Sequence, residues 1–262
     1  WPYQAELAQE LLQHSDIIVG KARQIGVTEL LCDYARWCAE RGKRVLILSK
    51  GQLESARFLR RTNLRYSGAM AMTKDTEQQV ELANGGHALA LPATTGAGRS
   101  FTADVVIVDE AAFHPYAREN FTAYRPTMAD GGQLIIVSTG NGPSGFFYDY
   151  WQGARAGTNG FRKLFYGVFE RPGRTEEWYF AEAKRYLASN PNALPGDFTR
   201  ENCRNEDEMF LAHSGLVYGM DPDDGVAIFD LRLNVKEAPF TWEEARWRVV
   251  GFDPGGRDPN AL

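Results

Sequence analysis

Apolar residues along this chain gather in short unbroken runs, separated by stretches with helical spacing. The runs Ile17-Ile18-Val19, Val45-Leu46-Ile47-Leu48, Val105-Val106-Ile107-Val108 and Leu134-Ile135-Ile136-Val137 have strand length and no polar interruption. Such runs suit strands buried on both faces of a parallel sheet. Between them, the spacing predicts helices over 2–13 and 28–41, the second ended by Gly42 as a C-cap. Further helices are expected over 55–66, around Tyr116 and over 145–155. Residues 80–91 read as a hairpin turning at Asn84-Gly85-Gly86, and 161–166 as another strand. Strands alternating with helices give an α/β fold: a mostly parallel sheet with helices on both faces. Near Arg171 the texture changes. Residues 175–189 read as an amphipathic helix with Trp178, Tyr179, Ala183, Tyr186 and Leu187 as apolar positions, and 190–224 are rich in Pro, Gly and charge. The expected organisation is a core over 1–170 and a small linker or lid subdomain over 171–245.

Composition narrows the class. With 262 residues and 44% hydrophobic content the chain can build one large core with an appendage. No apolar stretch approaches the length of a membrane span, and no signal peptide is visible. Cys32, Cys38 and Cys203 lack metal-ligand spacing and read as reduced thiols. A net charge of −5 argues against a bulk nucleic-acid binder, so any contact with DNA has to be local. One local candidate is the stripe of Arg57, Arg60, Arg61 and Arg65, spaced to share a helix face. Phosphate contacts from such a stripe would be independent of sequence and weakened by salt. A solvated helix face has the same pattern.

Candidate chemistry begins at the first strand. Ile17 to Thr28 is a strand, a basic Gly-containing loop and a helix opening on a hydroxyl residue. That arrangement suits a nucleoside triphosphate, with backbone N–H groups around the phosphates and the hydroxyl on Mg²⁺. Gly26 and Thr28 stand where the second Gly and the Ser/Thr of a P-loop belong, but Val27 replaces the lysine between them. Lys21 or Arg23 then has to supply the phosphate cation, beside Gln24. The 104–110 run ends in Asp109 and Glu110, at the strand end where ligands gather in parallel sheets. Asp109 is placed to hold Mg²⁺ and Glu110 to polarise an attacking water. Gln4 could read an adenine edge with Tyr3 beside the ring, and Arg99 could reach a phosphate in its own or a neighbouring subunit. Ser138, Thr139, Gly140 and Asn141 follow another buried strand and could sense the γ-phosphate.

This order of motifs resembles the large terminase subunit of tailed bacteriophages, the motor that packages DNA. The residues that carry the likeness are Pro-Tyr-Gln at 2–4, Lys-Ala-Arg-Gln-Ile-Gly-Val-Thr at 21–28, Ile-Val-Asp-Glu-Ala-Ala-Phe at 107–113 and Ser-Thr-Gly-Asn-Gly at 138–142. The resemblance implies a RecA/ASCE-type P-loop sheet with a small lid subdomain, and a DNA-translocating ATPase using ATP and Mg²⁺. It gives Gln4 the adenine, Lys21 and Arg23 the phosphates, and Thr28 with Asp109 the metal. Glu110 becomes the catalytic carboxylate, Ser138 to Asn141 the coupling motif, and Arg99 a candidate arginine finger. Implied partners are double-stranded DNA, a portal protein and a small terminase subunit, in a homo-oligomeric ring in the host cytoplasm with no membrane contact. The isolated chain is allowed to be monomeric and slow.

Residues 246–262 resemble the first strand of the terminase RNase H-like nuclease, with Asp253 matching its opening metal ligand. The expected reading is a motor domain cut off just after the nuclease begins, from a parent that is also an endonuclease. A superfamily-2-like helicase shares the early motifs but needs a second RecA-like domain. A nucleotide-binding scaffold without turnover is the remaining alternative, favoured by Val27 and opposed by the Asp109-Glu110 pair.

Overall fold

A computed structural model describes residues 1–64, 70–99, 101–191 and 193–211. Arg65 of the basic stripe, Asp253 and the rest of the expected nuclease strand, and residues 212–245 lie outside these. Helix α1 (Pro2–Gln13) leads into β1 (Asp16–Lys21), α2 (Val27–Glu40) and β2 (Arg44–Ser49). Helix α3 (Gln52–Arg61) follows, then the short strands β3 (Met72–Asp75) and β4 (Gln79–Leu82), and β5 (His87–Pro92). The core closes with β6 (Ala103–Asp109), α4 (Ala117–Tyr124), β7 (Met128–Ser138), α5 (Phe146–Arg155) and β8 (Arg162–Tyr166). Helices α6 (Glu176–Ser189), α7 (Pro195–Glu201) and α8 (Glu206–Met209) end the described chain.

The eight strands form one sheet in the order β3-β4-β5-β2-β6-β7-β1-β8. Strands β5, β2, β6, β7, β1 and β8 pair in parallel, while β3 and β4 add an antiparallel edge. The connections β1→β2 and β6→β7 cross the sheet in opposite directions. Right-handed crossovers therefore put α2 on one face and α4 on the other. Residues 17–19, 45–48, 105–108 and 134–137 are all buried, as their unbroken apolar runs require.

The hairpin forms where expected, closed by a Gly85 N–H donating to the Leu82 carbonyl at 2.9 Å. The larger differences from the expectation are at α3, β7 and β3. Helix α3 starts three residues early and ends at Arg61 rather than at 66. Strand β7 starts at Met128, well before its apolar run, because backbone pairing with β6 extends across the polar residues. Strand β3 carries no hydrophobic signal because all four of its residues are exposed. Tyr179, Phe198, Met209 and Phe210 from the α6–α8 segment join the same hydrophobic cluster as the sheet.

Two polar ties fix the frame. Buried Gln133 donates to the carbonyls of Leu11 and His14, each at 2.7 Å, and accepts from the Tyr34 hydroxyl at 2.6 Å. It thereby joins α1, α2 and β7 with its side-chain amide paired on both sides. Asp104 at the start of β6 accepts three hydrogen bonds from Arg44 at the start of β2, at 2.7–2.9 Å. The Arg44 side chain holds the Asp104 carboxyl below its ordinary value. Asp104→Asn is expected to cost about 1–2 kcal/mol at neutral pH, read by urea unfolding. The carboxyl is lowered on folding, so this stability is present above the unfolded value of about 3.9. It is lost as pH falls through the lower folded value. The gap between parent and variant should therefore close only in that acid range.

Candidate active site

Parallel strands deliver their C-terminal ends to one side of the sheet, and three of them meet at the candidate site. Strand β1 ends in Lys21, β6 in Asp109 and β7 in Ser138. Lys21 is only 5% exposed. Its Nζ donates to Glu110 Oε1 at 2.9 Å, across the end of the intervening β7. The other oxygen, Oε2, accepts from the Thr139 N–H at 3.4 Å. Burial opposes ionisation of Glu110, but Lys21 and the Thr139 N–H outweigh it and hold the carboxyl below its ordinary value. The Glu110 side chain keeps 36% exposure, so it faces the cleft while pinned from behind.

Asp109 responds in the opposite direction. Burial, and then the negative charge of Glu110, push its carboxyl upward. Its Oδ1 is buried with no hydrogen-bond partner, and so is Ser49 Oγ at the end of β2. Both residues line a small cleft of about 270 Å³ with Glu110 and Thr139. An orphaned carboxylate oxygen beside hydroxyl groups fits a hard divalent cation that keeps part of its water shell. Among the described residues no group of three His, Cys, Asp or Glu side chains forms a dedicated metal cage.

The phosphate-type loop runs from Ala22 to Gly26 and opens α2. Gly26 adopts φ +90° at the helix start, a conformation that suits a residue without Cβ. No side chain caps this N-terminus, which leaves its N–H groups and the positive end of the helix dipole toward the cleft. Gln24 and Glu110 are non-glycine residues with φ of 57° and 54°. Only Asn63 shares this conformation among the described non-glycine residues. Strain of this kind persists where the surroundings over-determine it, commonly at functional sites.

The cleft bounded by this loop has a volume of about 490 Å³ and is lined by Trp1, Lys21, Arg23 to Glu29, Arg61, Glu110 and Arg171. Tyr3 is buried, and its hydroxyl donates to the Ile25 carbonyl, while Gln4 donates to the Gly26 carbonyl at 3.1 Å. Both side chains thus hold the loop where it enters α2. The Arg23 side chain is 65% exposed and leans toward Glu201 of α7 at 3.4 Å.

The residues that end and follow β7 grip the turn after Glu110. Ser138 Oγ accepts from the Ala112 N–H at 3.1 Å, and Asn141 donates to the Ala112 carbonyl at 3.1 Å. Gly140 lies against α8 so closely that a Cβ would stand 1.6 Å from the Met209 carbonyl oxygen.

Over residues 18–213 the sequence matches the family described as the terminase large subunit, T4likevirus-type, N-terminal. The chain belongs to the terminase large-subunit family. Its fold is shared with the ATPase domain of the Thermus phage P74-26 large terminase at a TM-score of 0.55 and 17% identity, covering 74% of this chain and 90% of that domain. The bacteriophage HK97 large terminase aligns at a TM-score of 0.54 and 16% identity, over 80% of this chain and 45% of that one. The large terminase of the thermophilic bacteriophage D6E, solved in complex with ADP, aligns at 0.50 and 13% identity, over 66% and 44% of the two chains. This terminase chain therefore spans less than half the length of the HK97 and D6E proteins.

Lys21, Arg23, Gln24, Gly26, Thr28 and Glu110 border the same cleft or its walls, with Asp109 and Thr139 immediately beside them. Arg99 is exposed and is not part of either lining. Its loop is held by Asn120, which accepts from the Gly96 N–H, and lies beside Thr127, whose hydroxyl donates to the Tyr124 carbonyl at 2.8 Å and stands 3.5 Å from the Gly98 carbonyl. Thr127 immediately precedes β7, whereas the phosphate-type loop follows the opposite, C-terminal, end of β1. The basic stripe divides: Arg57, Arg60 and Arg61 are all exposed, but only Arg61 lines the cleft, where it pairs with Glu29.

Sequence reasoning missed the outer support of the loop. Arg171 donates to the Gln24 carbonyl at 2.8 Å and Arg174 to the Arg23 carbonyl at 2.9 Å, while the Arg23 N–H donates to the Glu201 carbonyl at 2.7 Å. The change of texture near Arg171 was the only local signal. It also missed His114, whose Nε2 lies 2.8 Å from the Asp109 carbonyl oxygen and whose pKa burial lowers. Gly140→Ala is expected to lower stability by about 2–3 kcal/mol, since the methyl meets backbone that cannot rotate away. An unchanged melting temperature in thermal unfolding would show that α8 does not hold this position.

Proposed function

We propose that this chain is the ATP-hydrolysing motor portion of a phage large terminase, converting γ-phosphate cleavage into movement of double-stranded DNA into a procapsid. The observation that carries the reading is the Lys21–Glu110–Thr139 constellation at the ends of three parallel strands, beside an uncapped helix N-terminus. Family membership supports the DNA-packaging role and leaves the helicase alternative without support. The ADP complex of the D6E terminase supports a nucleotide in the corresponding cleft.

In this mechanism the phosphates lie over the loop from Lys21 to Thr28, within reach of the α2 N–H groups. Lys21 and Arg23 neutralise phosphate charge, and Gln24 and Gly26 shape the loop around it. Thr28 and Asp109 would hold Mg²⁺, which supplies positive charge to the β- and γ-phosphates. Glu110, kept ionised by Lys21 and aimed by Thr139, orients the attacking water and takes up its proton. Catalysis of this type is mostly positioning and charge stabilisation, which suits a carboxylate pinned at both oxygens. Tyr3 and Gln4 set the loop beside the adenine. Loss of the γ-phosphate changes what Glu110 faces, and the Thr139 N–H carries that change to Ser138–Asn141 and on to α8.

Arg99 sits away from its own cleft, which favours action on a neighbouring subunit and hence a ring on the portal. Arg57 and Arg60 are the exposed residues offered to the DNA backbone. The portal, the small terminase subunit, a nuclease carried by the full-length protein and assembly in the host cytoplasm belong to the same reading.

Glu110→Gln is expected to lower steady-state ATP turnover by about 10²- to 10⁴-fold while ATP affinity changes only a few-fold. Turnover is to be followed with and without linear duplex DNA. A variant that hydrolyses ATP like the parent would remove Glu110 from the catalytic role.

A further inference from the structure

A P-loop without lysine at the helix entrance needs its phosphate cation from elsewhere. Val27 fills that slot and is buried. Four cations line the cleft: Lys21, Arg23, Arg61 and Arg171. Lys21 is already committed to Glu110 at 2.9 Å and is almost wholly buried. Arg23 leans outward to Glu201, and Arg171 holds the Gln24 carbonyl. Arg61 differs from these three. It is the last residue of α3 and pairs with Glu29, in the first turn of α2, next to Thr28.

Helix α3 reaches this position by packing along α2. The Cys32 thiol donates to the Phe58 carbonyl at 3.7 Å, and one turn further along each helix Arg61 meets Glu29. The two helices therefore run antiparallel, and α3 delivers its terminal arginine to the N-terminus of α2. Both partners are about half exposed, 49% for Arg61 and 53% for Glu29. Exposed pairs of this kind contribute little to stability and exchange partners readily. The Glu29 carboxylate also sits where a helix N-terminus and a guanidinium both favour an anion. That is the electrostatic position a phosphate group requires.

Resting on the triphosphate reading of this cleft, we propose that Arg61 is a phosphate-binding residue that leaves Glu29 for the terminal phosphate when the triphosphate binds. It adds to Lys21 and Arg23, from a neighbouring helix, a cation near the helix entrance where Val27 supplies none. Its planar guanidinium can meet two phosphate oxygens at once, which a lysine cannot. Glu29 is then the internal competitor that keeps Arg61 in the cleft when no nucleotide is present.

The test is calorimetric titration of a non-hydrolysable ATP analogue and of ADP, each with Mg²⁺, into the parent, Arg61→Ala, Arg61→Lys and Glu29→Gln. Arg61→Ala should weaken the triphosphate analogue roughly 10- to 100-fold, the loss expected for a charge-assisted hydrogen bond, and ADP no more than about threefold. Arg61→Lys should recover only part of this, and Glu29→Gln should bind the analogue as tightly as the parent or more tightly. Equal losses for analogue and ADP in Arg61→Ala would assign the residue a structural role and overturn the proposal, as would unchanged analogue affinity. A parent that binds neither nucleotide would instead overturn the ATPase reading itself. Thermal unfolding of each variant separates misfolding from lost contact, and Glu29→Gln leaves Arg61 in place to report independently.

Discussion

The ion pair between Lys21 and Glu110 governs how this site is built. It spans from the end of β1 to the residue just after β6, over the end of β7, and the second Glu110 oxygen takes the N–H of Thr139, just after β7. One carboxylate thus ties three strands at their C-terminal ends. Within the pair Lys21 is buried, and Glu110 adopts a left-handed backbone conformation. Removing either partner would leave a charge in a poorly solvated place, which is costlier than the pair itself is favourable. The same arrangement keeps one face of Glu110 open to the cleft. A group fixed from behind and free in front can orient a small molecule without reorganising.

A second layer of contacts holds the phosphate-type loop from outside. Its carbonyls at Arg23 and Gln24 accept from Arg174 and Arg171, and its N–H at Arg23 donates to the Glu201 carbonyl. From the inner side Tyr3 and Gln4 hold the carbonyls of Ile25 and Gly26. The loop therefore meets the α6–α8 segment on one side and α1 on the other. Met209 closes the circuit by placing its carbonyl on Gly140. The α6–α8 segment and the cleft are physically linked through these few contacts. Glu206 anchors that segment to the core, accepting from Lys163 at 2.6 Å and from Trp151 at 3.3 Å.

Charge is distributed so that the cleft concentrates cations in an otherwise acidic chain. Lys21, Arg23, Arg61 and Arg171 converge on one lining, while the whole molecule carries a net charge of −5. Local focusing of this kind attracts a polyanionic ligand without making the protein a general nucleic-acid binder. The exposed Arg57 and Arg60 lie on the same helix as Arg61, Arg57 one turn before it and Arg60 immediately before it.

The sequence alone determined the central parallel strands, the Asp109-Glu110 pair and the basic loop, because each depends on local pattern. An apolar run makes a buried strand wherever it lies, and a parallel strand presents whatever follows it at the carboxyl edge. The fold class and the family were legible for the same reason: their signals are contiguous in the chain. Strand order was not, and neither was the pairing of Lys21 with Glu110, 89 positions apart. Only the folded chain showed that Gln133 joins α1, α2 and β7, that Arg171 and Arg174 brace the loop, and that Arg61 leaves its stripe for the cleft. Helical spacing puts Arg57, Arg60 and Arg61 on one face, but which of them borders the cleft depends on the angle at which α3 crosses α2. That angle is set by packing between residues distant in sequence, so no local pattern can record it.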